Sequence, residues 1–367
     1  MYKLKAESNG GRSGILSTRH GKIETPFFMP VVTKMAAKFL TNDMLNELGT
    51  EAFISNSFVL YLNPGTDFLK KAGGIHKFMN VKNIIFTDSG GFQMINPSLT
   101  INVNDRGITF RNPWDKSKHL VTPGKSMMIQ EGIGSDVAMA FDHMPLVEYN
   151  KEEVVEATNR THKWAEICKK AHLDDKQLLF GISQGGMYPE LRKKSAEFIA
   201  GLDFDGYAIG GLAIGEDRDT FNKMAKVSVD VYNKINKEKP RYIMGVGNPI
   251  DLLNCVGLGI DLFDSRFPTQ NARHNLIFTS KGPIKINKSQ YKEDFSPLDE
   301  DCKCKVCSKY SKAYLHYLNR VGEPNAKIYF SYHNVYFVQN MMKEIRKAIK
   351  ENRFGEYSKE FLKGYKI

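Results

Sequence analysis

Eight short apolar runs punctuate the chain: "FFMPVV" at residue 27, "AFISN" at 52, "NIIFTD" at 83, "DVAMAF" at 136, "LLFGIS" at 178, "GYAIGGL" at 206, "RYIMGV" at 241 and "DLFDSR" at 261. They are continuous rather than alternating, which is the pattern of parallel strands covered on both faces. Between them the period changes. "NKEEVVEATNRTHKWAEICKKAH" opens with Asn150 three residues before Glu153, a capping box, and repeats Val154, Ala157, Thr161, Trp164 and Cys168 at helical spacing. Further helical patterns cover 188–201 and 217–236. Strand and helix in regular alternation predict an α/β fold of the (β/α)8 TIM-type barrel, with a doubly wound sheet as the alternative.

Two segments break the rhythm. Residues 95–122 read as a hairpin excursion after the third strand, with turn residues between β-rich runs. Residues 276–334 form a second excursion that carries most of the cysteines. After it, Val338, Met341, Met342, Ile345 and Ile349 make an apolar stripe, expected to be the eighth barrel helix. With no repeat or linker between halves, the expectation is a single barrel over 1–367 with an embedded zinc-binding subdomain at 276–334.

Composition adds partners and compartment. Lys and Arg number 52 against 41 Asp and Glu, a formal charge of +11, which favours an anionic partner, nucleic acid ahead of membrane. The N-terminus has no apolar signal core, and nothing approaches the ~18 apolar residues of a membrane helix. A cytoplasmic protein is expected. Cys168 and Cys255 sit alone in apolar patterns, as core residues do. Cys302, Cys304 and Cys307 form C-x-C-x2-C, and "YFSYHNVYF" offers His333, expected at the start of a helix. Three thiolates and an imidazole fill a tetrahedral zinc shell, so one structural Zn2+ per chain is expected. Lysines around the knuckle, such as Lys303 and Lys305, suit a phosphate-facing surface or a solvated rim.

In a barrel, the strand ends at the carboxyl face deliver the chemistry. Here they deliver Asn56, Asp88, Asp142, Gln184, the Gly210–Gly211 pair, Met244 and Asp264. Each alone suits a turn or cap. Together, two carboxylates on one cleft suit displacement at an acetal-like carbon. A third Asp, a Gln and exposed Gly amides match the edge of a purine-like base, and Phe92 and Met244 could sandwich its faces. Exchange or cleavage of a base on a sugar is the chemistry implied, and a carbohydrate-directed glycosidase is the rival.

"TDSGGFQ", "GSDVAMAFD", "LLFGISQGGMY", "GYAIGGLAIGE", "RYIMGVGNP", "FDSRFPTQNAR" and the cysteine pattern with "HN" together resemble the tRNA-guanine transglycosylases, most closely the bacterial type, from about residue 11 onward. The resemblance implies a zinc-bearing barrel that replaces the wobble guanine of GUN-anticodon tRNAs by a 7-deazaguanine. Asp264 would be the nucleophile and Asp88 the general acid/base. Asp142, Gln184, the Gly211 amide and the Leu212 carbonyl would read the base, with Phe92 and Met244 stacking on it. Arg273 and the neighbouring Gln270 would contact tRNA. Departures from the family pattern are "DHMPLV" after the base-reading Asp, Ser183, and Gln270 in place of an arginine. Ile214 argues against the widened pocket that queuine needs; the 7-aminomethyl base (preQ1) is expected, with its nitrile precursor (preQ0) or queuine as the alternatives. A homodimer is implied by the resemblance alone, and a silent tRNA-binding partner subunit is the remaining alternative. The chain's end lacks the RNA-binding extension of archaeal relatives, an expectation in keeping with anticodon modification.

Overall fold

The structure, a computed structural model, describes residues 1–94 and 96–366; of Phe92 only the backbone is described. Eight parallel strands form its centre: β1 (Phe27–Pro30), β2 (Ala52–Asn56), β3 (Ile84–Asp88), β4 (Val137–Met139), β5 (Leu178–Ser183), β6 (Gly206–Ile209), β7 (Arg241–Ile243) and β8 (Leu262–Ser265). Their order in space is β1-β8-β7-β6-β5-β4-β3-β2. A parallel bridge between Val31 and Ile54, with Val32 N–H donating to Ile54 O at 2.8 Å, closes the ring. This is a (β/α)8 barrel, and all eight apolar runs lie on its strands.

Why those runs are continuous is now visible. Phe27, Met29, Ile54, Ile84, Phe86, Phe180, Ile182, Tyr242 and Leu262 pack inside the barrel. The residues between them, such as Phe28, Phe53, Ile85, Leu179, Ile243 and Phe263, pack outward on the helices. The period of two carries into function: Asn56, Asp88, Gln184, Met244 and Asp264 each follow an inward-facing residue by two positions, so they rise from the interior at the mouth.

The helix over Lys151–Ala171 has the expected capping box, with Asn150 and Glu153 exchanging hydrogen bonds with each other's N–H. Helices over Pro189–Gly201 and Arg218–Ile235 follow the two later periodic stretches. The excursion after β3 is a three-stranded antiparallel sheet (Thr100–Asn104, Gly107–Arg111, Lys118–Val121). The apolar stripe from Val338 to Ile349 is buried, on a helix that spans Pro324–Lys350. That helix starts earlier than the sequence suggested: Pro324 opens it, so His333 lies well inside rather than at its start. Pro is tolerated at the first helical position because it needs no hydrogen bond there, and the apolar stripe before His333 extends the buried face.

One element was not anticipated. Tyr2–Ser8, Gly11–Thr18 and Gly21–Thr25 form a three-stranded antiparallel sheet. Its Tyr2, Leu16 and Ile23 join the barrel-interior cluster and plug the end opposite the strand tips. The Tyr2 hydroxyl donates to Asp261 Oδ1 at 3.0 Å, just ahead of β8. Also at that end, Asp136, just before β4, accepts from His20 Nδ1 (2.9 Å), His76 Nε2 (2.9 Å) and Ile85 N–H (2.8 Å), with the two imidazoles stacked 3.7 Å apart. Among the described residues no helix is long and apolar enough to cross a membrane. Cys168 and Cys255 are buried, and burial pushes the Cys168 thiol up to about 12, as a core role requires.

Candidate active site

The tips of β2 and β3 lie in register, Asn56 opposite Asp88, and this pairing builds the first carboxylate site. Asn56 Nδ2 donates to Asp88 Oδ2 at 2.9 Å, and the N–H groups of Ser57 and Gly90 reach Oδ1 at 3.1 Å each. Burial raises the Asp88 carboxyl to about 7; the hydrogen bonds oppose this, and the charge of Asp264 adds to it. A carboxyl with that value can hold or release a proton near neutrality.

Asp264, at the tip of β8, accepts from the Tyr242 hydroxyl at 2.6 Å and from Gly245 N–H at 2.9 Å, both on Oδ1. Burial raises its carboxyl, and those two donors pull it back. With both donors on Oδ1, Oδ2 is the oxygen free of protein hydrogen bonds among the described residues. The Tyr242 phenol is itself held well above its ordinary value by burial and by the charge of Asp264, so it stays a donor.

A second polar group lies beside Asp88. The chain beyond β4 turns Phe141 outward onto Trp164 (ring centroids 4.8 Å apart) and leaves Asp142 buried beside the β3 loop. Asp142 accepts from Ser89 Oγ at 2.8 Å and from Gln184 Nε2 at 2.7 Å. Burial raises its carboxyl, against those two donors. Gln184 Oε1 is buried without a partner among the described residues, an acceptor that a ligand N–H would satisfy. The approach is tight: a Cβ on Gly91 would lie 2.6 Å from Asp142 O, and one on Gly211, at φ +64°, 2.5 Å from Gln184 Oε1.

The loop after β6 supplies backbone groups. Glu216 Oε1 accepts from Ala213 N–H at 2.6 Å, and Oε2 from Ile214 N–H at 2.9 Å. Because the Leu212–Ala213 peptide is planar and trans, its carbonyl points away from Glu216. Behind the loop, the fully buried Arg192 donates to Gly186 O (2.8 Å), Gly210 O (2.6 Å) and Gly211 O (2.8 Å). Met244 follows β7 and packs against the barrel-interior cluster. The Phe92 side chain lies outside the described part of the structure, so its expected stacking is not described. Gln270 and Arg273 stand on the helix Phe267–Arg273 that leaves β8, both partly exposed.

The cysteines converge as their spacing suggested. Sγ of Cys302, Cys304 and Cys307 lie 3.8, 3.5 and 3.3 Å from His333 Nδ1. The edges of a tetrahedral zinc shell measure about 3.6 Å between sulfur and nitrogen. His333 Nε2 meets Phe278 O at 2.6 Å, which assigns the proton to Nε2 and leaves Nδ1 as a ligand. The N–H groups of Cys304 and Cys307 point at the sulfurs of Cys302 and Cys304 (3.5 and 3.4 Å). These residues could hold a metal ion, and the donor set fits zinc.

Sequence reasoning singled out the acids but missed their supports. Tyr242 was hidden in an apolar strand, although a buried phenol needs a partner and so carried a signal. Arg192, Ser89 as a side-chain donor, and Glu216 read as ordinary helix or loop residues. Asn334 was seen only within "HN", yet it accepts from Phe278 N–H (3.0 Å) and donates to Pro268 O (3.1 Å) and Leu276 O (2.9 Å). It thereby ties the metal-ligating helix to the segment that follows Asp264.

A family model described as queuine tRNA-ribosyltransferase matches residues 7–367. Relatives named queuine tRNA-ribosyltransferase include one from Fusobacterium nucleatum, 43% identical over 99% of this chain and 98% of its own. One from Caldanaerobacter subterraneus is 45% identical over 96% of this chain and 94% of its own. One from Thermotoga neapolitana is 44% identical over 99% and 98%.

Proposed function

The chain belongs to the queuine tRNA-ribosyltransferase family, and from that premise we propose that it exchanges the wobble guanine of GUN-anticodon tRNAs for 7-aminomethyl-7-deazaguanine, preQ1, in queuosine biosynthesis. The observation that carries this is the proximity of Asp88 and Asp264, two acids in different hydrogen-bond settings, with the Asp142–Gln184 pair bonded to Ser89 beside Asp88.

In this mechanism Asp264 Oδ2 attacks C1′ of the ribose as the bond to guanine breaks, and Asp88 donates the proton that guanine takes with its electron pair. The ribosyl ester on Asp264 keeps the glycosidic linkage available. Asp88, now ionised, accepts a proton from the incoming base, whose nitrogen displaces Asp264. Asp142 and Gln184 hold the amidic edge of either base, the Gly211 amide and Leu212 carbonyl add to that reading, and Met244 and Phe92 stack on its faces. The wobble nucleotide must leave the anticodon stack to arrive there, which suits a basic protein; Arg273 and Gln270, on the helix that leaves β8, would contact the tRNA. The Leu212 carbonyl supports the choice of base, because with Ala213 N–H committed to Glu216 it offers an acceptor to an aminomethyl group. Cys302, Cys304, Cys307 and His333 would hold one structural Zn2+, which supplies rigidity to 276–334, the embedded subdomain, and no step of the exchange. A homodimer and a cytoplasmic setting complete the proposal.

The test is release of labelled guanine from tRNA. Wild type should exchange it and Asp264→Asn should not, while keeping its melting temperature; turnover in that variant would remove Asp264 from the nucleophile role. A glycosidase, by contrast, would hydrolyse saccharides and ignore tRNA.

A further inference from the structure

Arg192 is the one large charge buried behind the base-reading loop, with no carboxylate within salt-bridge distance among the described residues. All three of its hydrogen bonds go to backbone carbonyls, of Gly186, Gly210 and Gly211. An unpaired buried guanidinium is costly to desolvate, and a neutral side chain could fill the same space more cheaply. Burial draws it down to about 10, which leaves it charged at neutral pH.

The carbonyls it holds belong to particular peptides. Gly210 C=O shares its peptide with Gly211 N–H, and Gly211 C=O shares its peptide with Leu212 N–H. In a planar trans peptide the N–H points opposite to the C=O. Two carbonyls clamped onto one guanidinium therefore aim two successive N–H groups away from it. Neither N–H has an acceptor among the described residues. A charge-assisted bond to a carbonyl also polarises its peptide and strengthens the paired N–H as a donor.

We propose that Arg192 is a positioning residue that orients and polarises the Gly210–Gly211 peptide, so that Gly211 N–H binds the lactam carbonyl oxygen of a purine-like base and stabilises charge arriving there. The inference rests on the base-exchange reading above. When the bond from C1′ to the base breaks and Asp264 forms its bond to C1′, the electron pair passes into the departing base and onto the lactam oxygen until Asp88 supplies the proton. A preset donor at that oxygen acts as an oxyanion hole does.

The experiment measures calorimetric affinity of the zinc-loaded full chain for guanine and for 2-aminopurine, which lacks the lactam oxygen, with Arg192→Gln and Arg192→Lys beside wild type. Loss of a charge-assisted donor network predicts guanine binding weakened about 10- to 100-fold in Arg192→Gln, with 2-aminopurine changed less than about twofold. Arg192→Lys, which keeps the charge but serves fewer carbonyls, should fall between, and it carries the test if the Gln variant does not fold. Equal weakening for both bases would mean simple loosening of the loop and overturn the proposal, as would unchanged guanine binding. Labelled-guanine exchange by wild type separates the two layers. Absent exchange with an Arg192-dependent guanine preference would refute the proposed reaction and leave this inference standing; normal exchange without that preference would do the reverse.

Discussion

At the residue scale the proposed chemistry depends on two carboxyls that differ in their surroundings. Asp88, raised to about 7, would be protonated as guanine leaves in the proposed exchange. Guanine release in a single turnover should therefore fall roughly tenfold per pH unit above about 7, and a flat profile to pH 9 would exclude Asp88 as the acid. The same shift acts on stability. A carboxyl raised in the folded state favours folding while it is protonated, fully so below its unfolded value of about 4, and this contribution is lost as pH rises through about 7. Asp88→Asn should accordingly be more stable than wild type above pH 7, by on the order of 2 kcal/mol, with the difference closing below about pH 4, as thermal melts across pH would read. Tyr242→Phe removes the 2.6 Å donor to Asp264. It should slow the exchange about 10-fold or more while leaving tRNA affinity unchanged, and equal losses in both would point to general damage.

Elements explain what could be seen beforehand. Strands such as "NIIFTD" and "DLFDSR" were legible because a parallel strand covered on both faces is apolar throughout, and an acid after it must stand at the barrel mouth. The tip of β4 was harder: the chain there leaves the strand parity so that Phe141 packs outward on Trp164 and Asp142 remains in the site. The N-terminal sheet escaped because its strands are short on apolar residues, "YKLKAES" burying only its ends fully, and Tyr2 is anchored to Asp261, 259 residues away. Local pattern carries no trace of such a contact. The cysteine knuckle was legible from spacing alone, whereas the depth of His333 in its helix and the bonds of Asn334 depend on tertiary packing. Cys304→Ser should release the bound zinc, measured by atomic absorption, and lower the melting temperature. Asn334→Ala should retain zinc yet lose stability by about 1–3 kcal/mol through its orphaned backbone partners.

Over the whole molecule, the barrel separates a stabilising end from a reactive one. At the plugged end, burial alone would raise Asp136, but hydrogen bonds from His76, Ile85 N–H and His20 outweigh it and hold the carboxyl at about 2. That stabilisation is present above the unfolded value of about 4 and is lost as pH falls through about 2. Asp136→Asn should therefore be less stable than wild type at pH 7 and converge with it in strong acid, with wild-type catalytic constants throughout. The whole chain's formal charge of +11 implies, for the proposed tRNA substrate, an affinity that falls steeply with salt. The most direct test of the central claim is mass analysis of nucleosides from unmodified GUN-anticodon tRNA after incubation with the protein and an equal mixture of preQ1 base, preQ0 and queuine. The account predicts the preQ1 nucleoside at the wobble position with wild type and untouched guanosine with Asp264→Asn. Unmodified tRNA from wild type, or insertion by the Asp264→Asn protein, would contradict it.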